Sequence, residues 1–132
     1  MMNSLRKNER LSSQKEIALL VKEGNTFLCY PFRIMWSVSR NERDHSFRIQ
    51  SAFSVPKKKF KKAVKRNKIR RRMKEAFRLQ KEPFKKEMTH HPFTLSLLII
   101  YTPHKELNYA KIEAGMKKSF QMLKKVLSKK TP

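Results

Sequence analysis

The sequence predicts an α+β domain, a sheet with one apolar face covered by helices, and three observations predict it. Apolar residues recur at three- and four-residue steps in some stretches and at two-residue steps in others. A segment of very high positive charge joins one strand pattern to another, so a strand–helix–strand crossover is expected. A chain of 132 residues suffices for one modest core and is too short for two, so residues 1–132 are read as a single domain.

Residues 1–10, MMNSLRKNER, are polar and are expected to be mobile. Ser13 opens a capping box with Glu16. Ile17, Leu20 and Val21 then repeat at helical spacing to Gly24, which is expected to end a short first helix in the left-handed conformation. Thr26 to Tyr30 gives a weak signal for a leading strand. From Pro31 the period becomes two: Phe32, Ile34, Trp36 and Val38 alternate with Arg33, Met35 and Ser37. After a turn-like stretch from Arg40 to Ser46, Phe47, Ile49, Phe53 and Val55 alternate with Arg48, Gln50, Ala52 and Ser54. Such a sheet has two unlike faces, one apolar and in need of cover, the other polar and basic and partly open.

Pro56 stops the strand. Lys57 to Arg78, KKKFKKAVKRNKIRRRMKEAFR, contains no Gly or Pro, is about half cationic and reads as one helix that fades between Gln80 and Pro83. On a helical wheel Ile69, Met73 and Ala76 share a face with Phe77 at their flank. Asn67, Arg71, Lys74 and Arg78 share the other, with Arg70 beside them. Residues 83–92, PFKKEMTHHP, read as a linker. Phe93 to Thr102, FTLSLLIIYT, suits a strand buried on both faces. Asn108 is placed to cap a last helix whose stripe is Tyr109, Ile112, Met116, Phe120, Leu123 and Leu127, and whose basic end, 128–132, is expected to fray.

The net charge of +23 limits the choice of partner. Glu75 is the single acidic residue among the cations of 57–78, so like charges repel along the helix by a few tenths of a kcal/mol per pair, ~0.2–0.5. A face shaped only for solubility would mix its signs. A polyanion relieves the repulsion, and the planar fork of Arg grips phosphate in two places. Membranes and acidic proteins are also anionic, but neither accounts for a 39% apolar fraction patterned as a core. Duplex DNA is disfavoured because the helix lacks the spread of base-reading side chains and adjoins no dimer seam. A ribosomal or assembly protein would share the fold and the charge.

The residues give little support to chemistry by the polypeptide itself. The ten carboxylates are scattered, and Gly24 and Gly115 are the only glycines, so no Gly-rich phosphate loop exists. The single Cys29 excludes an internal disulfide and a cysteine-based zinc site, and fits a reducing cytoplasm. His90 and His91 are adjacent, point oppositely on an extended chain and have no carboxylate or thiol cluster beside them, so no metal site is assigned. No apolar run approaches the ~18 residues of a membrane span, and the amino terminus lacks a signal-peptide core.

The string Ala63-Val64-Lys65-Arg66-Asn67, continuing through Ile69-Arg70-Arg71 to Lys74-Glu75-Ala76-Phe77, closely resembles the signature of the protein subunit of bacterial ribonuclease P. Arg10-Leu11, Gly24, Phe32, Phe53-Ser54-Val55 and the apolar strand ending at Tyr101 agree with it. The resemblance implies an α-β-β-β-α-β-α two-layer sandwich with a mixed sheet and a left-handed βαβ crossover, similar to domains of a ribosomal protein and a translocase. It implies an accessory subunit of a cytoplasmic endoribonuclease holoenzyme whose catalytic centre lies in the RNA. The ribonuclease P RNA, Mg2+ held mainly by that RNA, and precursor tRNA are the expected partners, without membrane or DNA. Carried over by position, Arg66, Asn67, Arg70, Arg71 and Lys74 would hold the RNA subunit, with Lys62, Lys65 and Arg78 extending the same stretch. Lys74 departs from the usual Arg. The 5′ leader of precursor tRNA would lie in a cleft of Ile17, Val21, Arg33, Met35, Arg48 and Ser54. Well-known members have aromatic residues where Ile17, Val21 and Met35 stand, and a stacked base is worth about 1–3 kcal/mol. Ile17 and Val21 fit cleft lining or core packing equally well.

Overall fold

The computed structural model describes residues 14–40, 46–89 and 91–130. In order, the chain forms α1 (Gln14–Glu23), β1 (Asn25–Cys29), β2 (Phe32–Arg40), β3 (Arg48–Ser54), α2 (Ala63–Glu87), β4 (Phe93–Tyr101) and α3 (Tyr109–Lys130). The strands lie in the order β1-β2-β4-β3; β2 is antiparallel to β1 and β4, and β3 is parallel to β4. This is the expected α+β domain with a mixed sheet, and α2 is the crossover between the parallel neighbours β3 and β4. The weak leading strand is real, displaced one residue toward the amino terminus. The Ser13 cap, residues 1–10, His90 and the last two residues lie outside the described residues, as does most of the turn before Ser46.

The alternation sorts side chains as the period of two requires. Phe32, Ile34 and Trp36 of β2, Ile49 of β3 and Leu95, Leu97, Ile99 and Tyr101 of β4 form one sheet face, buried under α2 and α3. Ile69, Met73, Ala76 and Phe77 of α2 and Ile112, Met116, Phe120, Leu123 and Leu127 of α3 close that core. Each fully buried large side chain stabilises the fold by about 1.5–3 kcal/mol. On the opposite face Leu20 of α1 packs on Leu98 of β4, with Ile17, Met35, Ala52 and Ile100 around them. Over residues 97–101 central β4 is therefore apolar on both sides, as its continuous run required, while Thr94 and Ser96 lie half-buried on the α1 side.

Three expectations need correction. Lys57 to Arg78 is not one helix, because α2 starts at Ala63 after a turn over residues 57–59. A helix continued back at about 100° per residue would put Phe60 some 20° from Asn67, on the outward face. Breaking the helix lets Phe60 turn inward, where it is 7% exposed and packs against Tyr101 with ring centroids 5.9 Å apart.

The helix also does not fade at Pro83; it runs to Glu87, so the first half of the expected linker is helical. Pro83 withholds one backbone donor. Continuation places Phe84 seven residues after Phe77 on the same stripe, buried against Phe47 and Phe120 with centroids 5.8 and 5.1 Å away.

Finally, Gly24 ends α1 without adopting a positive φ. Its N–H donates to the Leu20 carbonyl at 2.8 Å. A Cβ there would lie 2.5 Å from that oxygen and 3.2 Å from the Trp36 carbonyl, so close approach is what requires glycine.

Candidate nucleic-acid interface

With Ile69, Met73, Ala76 and Phe77 in the core, the opposite face of α2 turns outward, and Lys62, Lys65, Asn67, Arg71 and Lys74 are exposed. Arg66, Arg70 and Arg78 are half-buried and have intramolecular partners. Arg66 donates from Nη1 to the carbonyls of Phe60 at 2.8 Å and Lys61 at 2.9 Å, tying the segment before α2 to its first turn. The first turn of α2 has no acidic residue and Lys62 provides no side-chain cap, so Arg66 is what organises this end. Arg70 donates to Asn67 Oδ1 at 2.7 Å, which leaves the Asn67 amide group outward. Arg78 holds Glu75 through two nitrogens, at 3.1 and 2.6 Å, and the hydrogen bonds from its guanidinium keep the Glu75 pKa below the usual carboxylate range.

A residue that the sequence pattern did not suggest neutralises one flank. Glu106, in the β4–α3 connection, lies 2.8 Å from Arg72, 3.4 Å from Lys68 and 3.9 Å from Lys65. Burial works against its charge, but the hydrogen bonds and charges of Lys68 and Arg72 outweigh that and lower its pKa. Arg72 also donates to the Leu107 carbonyl at 2.8 Å. Tyr101 fixes the connection, its hydroxyl donating to the Lys105 carbonyl at 2.7 Å and accepting from the Leu107 N–H at 3.0 Å. Burial is the main cause that raises the Tyr101 pKa, so this hydroxyl stays protonated at neutral pH. Among the three cations around Glu106, Arg72 is the one drawn into the fold, while Lys65 and Lys68 pair with Glu106 and stay exposed. No spacing rule within 57–78 could show this, because Glu106 arrives from a distant part of the chain.

The second surface is the sheet face under α1. Strand register arranges it in rows: Leu28, Arg33, Ile100 and Ser54; Thr26, Met35, Leu98 and Ala52; Ser37, Ser96 and Gln50; Ser39, Thr94 and Arg48. From Ile100 to Thr94 this face is roughly 20 Å long, at about 3.3 Å per residue. Helix α1 sits on the apolar second row through Leu20. Ile17 and Met35 pack around that contact, whereas Val21 is 52% exposed. Arg33 and Arg48 are exposed at opposite ends, and Ser54 is half-buried beside Ile100. Of the six residues expected to line one cleft, Arg33, Met35, Arg48 and Ser54 therefore share one sheet side, Ile17 of α1 packs against it near Met35, and Val21 of α1 is exposed. Among the described residues no three His, Cys, Asp or Glu side chains converge as a metal site, and no helix is long and apolar enough to cross a membrane.

Comparison with known proteins agrees with this architecture. A profile of the ribonuclease P family matches residues 5–124. The ribonuclease P protein component of Porphyromonas gingivalis ATCC 33277 is 30% identical over 115 residues, which cover 87% of this chain and 82% of that protein. Among solved structures, the RNase P protein of Staphylococcus aureus superposes with a TM-score of 0.65 at 21% identity, covering 89% of this chain and 97% of the other. That of Thermotoga maritima gives 0.61 at 21% identity, covering 86% and 96%. The extent of the profile match and the level of identity carry the conclusion: this chain belongs to the ribonuclease P family, as one of its protein components.

Proposed function

We propose that the chain is the accessory subunit of a cytoplasmic holoenzyme that removes the 5′ leader from precursor tRNA, and that it works by binding RNA on two surfaces. The outward face of α2, from Lys62 and Lys65 through Asn67, Arg70 and Arg71 to Lys74 and Arg78, holds the ribonuclease P RNA. The sheet side bearing Arg33, Arg48 and Ser54 takes the single-stranded leader. The observation that carries this reading is the division of α2 over residues 63–78, where the buried residues Ile69, Met73, Ala76 and Phe77 are apolar while the rest is mainly cationic with Glu75 as its acidic residue; Glu82, Glu87 and the buried Lys81 belong to the last turns. Its affinity then arises largely from counterion release and falls steeply with salt.

In this reading the bond is broken by the RNA, whose bound Mg2+ would supply an activated water and charge stabilisation. Mg2+ belongs to the RNA in this proposal, and the polypeptide's part is to bind and orient. The test is precursor-tRNA cleavage by a bacterial ribonuclease P RNA at low magnesium, with and without the chain. A lowered magnesium requirement is the expected result; no change in either magnesium requirement or cleavage would reject the proposal.

A further inference from the structure

At the end of the sheet face, where the first row meets the β1–β2 turn, lies an open hollow of about 510 Å³ lined by Leu28, Tyr30, Arg33, Lys59, Ile100 and Thr102. Leu28 and Tyr30 are 68% and 64% exposed, an apolar and aromatic pair with no role in the core. The backbone that carries Tyr30 is held firmly. The Pro31 carbonyl accepts from the Thr102 N–H at 2.9 Å and from Thr102 Oγ1 at 3.0 Å. Gly115 of α3 packs so tightly beneath the Tyr30–Pro31 peptide that a Cβ there would be 2.8 Å from the Tyr30 carbonyl oxygen. A fixed backbone thus presents an exposed ring at a hollow that two cations, Arg33 and Lys59, also line. That combination suits a flat, partly apolar ligand attached to an anion.

Lys59 links this hollow to a second one. Its ammonium donates to the Thr102 carbonyl, and its side chain also lines a hollow of about 460 Å³ with Lys61, Lys62, Lys65 and Lys105, where Glu106 is the acidic residue, outnumbered by the lysines. Ring and cations therefore follow one another along a continuous surface that ends at the start of α2. An unpaired nucleotide has the matching pattern: a base to stack, then phosphates at regular intervals along one direction. A protein segment would have to be both aromatic and strongly acidic to fit as well.

We propose that Tyr30 is a stacking platform for one unpaired base of single-stranded RNA, with the neighbouring phosphates passing over Lys59 toward the lysines at the start of α2. In this chain the aromatic contact comes from the β1–β2 turn, while Ile17, Val21 and Met35 supply none. The inference rests on the proposed function for the identity of that RNA as the precursor leader.

Two arms of one experiment test it, both on the full chain. In the first, the Tyr30→Trp variant is titrated with a short single-stranded RNA. Its exposed indole should be quenched on binding, while Trp36, 3% exposed, contributes a constant background. In the second, holoenzyme is assembled with wild type, Tyr30→Phe or Tyr30→Ala, and precursors carry an abasic site moved through the leader. Tyr30→Ala should weaken precursor binding by roughly 5- to 150-fold and abolish the effect of one abasic position, whereas Tyr30→Phe keeps both. An unquenched indole together with wild-type affinity for Tyr30→Ala overturns the platform and leaves the proposed function standing. Quenching in a chain that fails to assist the ribonuclease P RNA keeps the platform and rejects that function.

Discussion

Arg71 and Arg72 are neighbours with the same charge, set about 100° apart on α2, and the structure predicts opposite consequences for their loss. Arg71 is exposed on the outward face. Arg72 has a side chain only 25% exposed, donates to the Leu107 carbonyl at 2.8 Å and pairs with Glu106 at 2.8 Å. Arg71→Ala should change stability by no more than about 0.5 kcal/mol, the usual range for a surface position. If Arg71 contacts one phosphate, the slope of log K against log salt should shrink by about 0.7–0.9. Arg72→Ala removes a charge-assisted hydrogen bond and leaves the Leu107 carbonyl without that donor, a loss of about 1.5–3 kcal/mol. Its salt slope should stay near that of wild type. Urea denaturation gives the first quantity, and titration of ribonuclease P RNA at several salt concentrations gives the second. The reasoning is refuted if Arg71→Ala lowers stability by more than about 1 kcal/mol with an unchanged slope, since α2 would then be rotated from the position described.

Three further outcomes follow from the packing and the charges. Phe84→Ala should cost about 3–5 kcal/mol in chemical denaturation, because the ring is buried between Phe47 and Phe120; a change below about 0.5 kcal/mol would mean that the helix stops before Pro83. Gly115→Ala should cost about 1–3 kcal/mol, since its methyl group would push against the Tyr30–Pro31 turn, and a neutral result would show that the turn moves freely. The lowered Glu75 pKa predicts a contribution fully present above the ordinary carboxylate range and lost as pH falls through the lowered value. Arg78→Gln should flatten that part of the acid limb in a pH series of melts, modestly because the two side chains keep 34% and 40% of their surface in solvent.

Much of the fold follows from local periodicity. The alternations at Phe32–Val38 and Phe47–Val55, the continuous run of β4 and the stripe of α3 each name their own core face. Asn108 caps α3 as its position suggests, its Oδ1 accepting from the Lys111 N–H at 3.0 Å. The spacing of Ile69, Met73, Ala76 and Phe77 identified the buried side of α2, and with it the side on which Asn67, Arg71 and Lys74 are displayed. These features are legible because a side chain's direction within a helix or strand depends on its neighbours in sequence alone.

What the tertiary structure decided depends on contacts between distant residues. Phe60 and Phe84 set the two ends of α2 by their need to reach the core, overriding the helical preference of residues 57–62 and the helix-breaking tendency of Pro83. Glu106 sets Arg72 apart from the exposed Arg71 by pairing with it, although it lies 34 positions beyond Arg72 in the sequence. The contact of α1 with the sheet places Ile17 in packing and Val21 outside, a choice their shared helical spacing left open. Charge and periodicity are summed along the chain and can be read there; the partner that each charge or ring meets is fixed only when the sheet brings remote segments together.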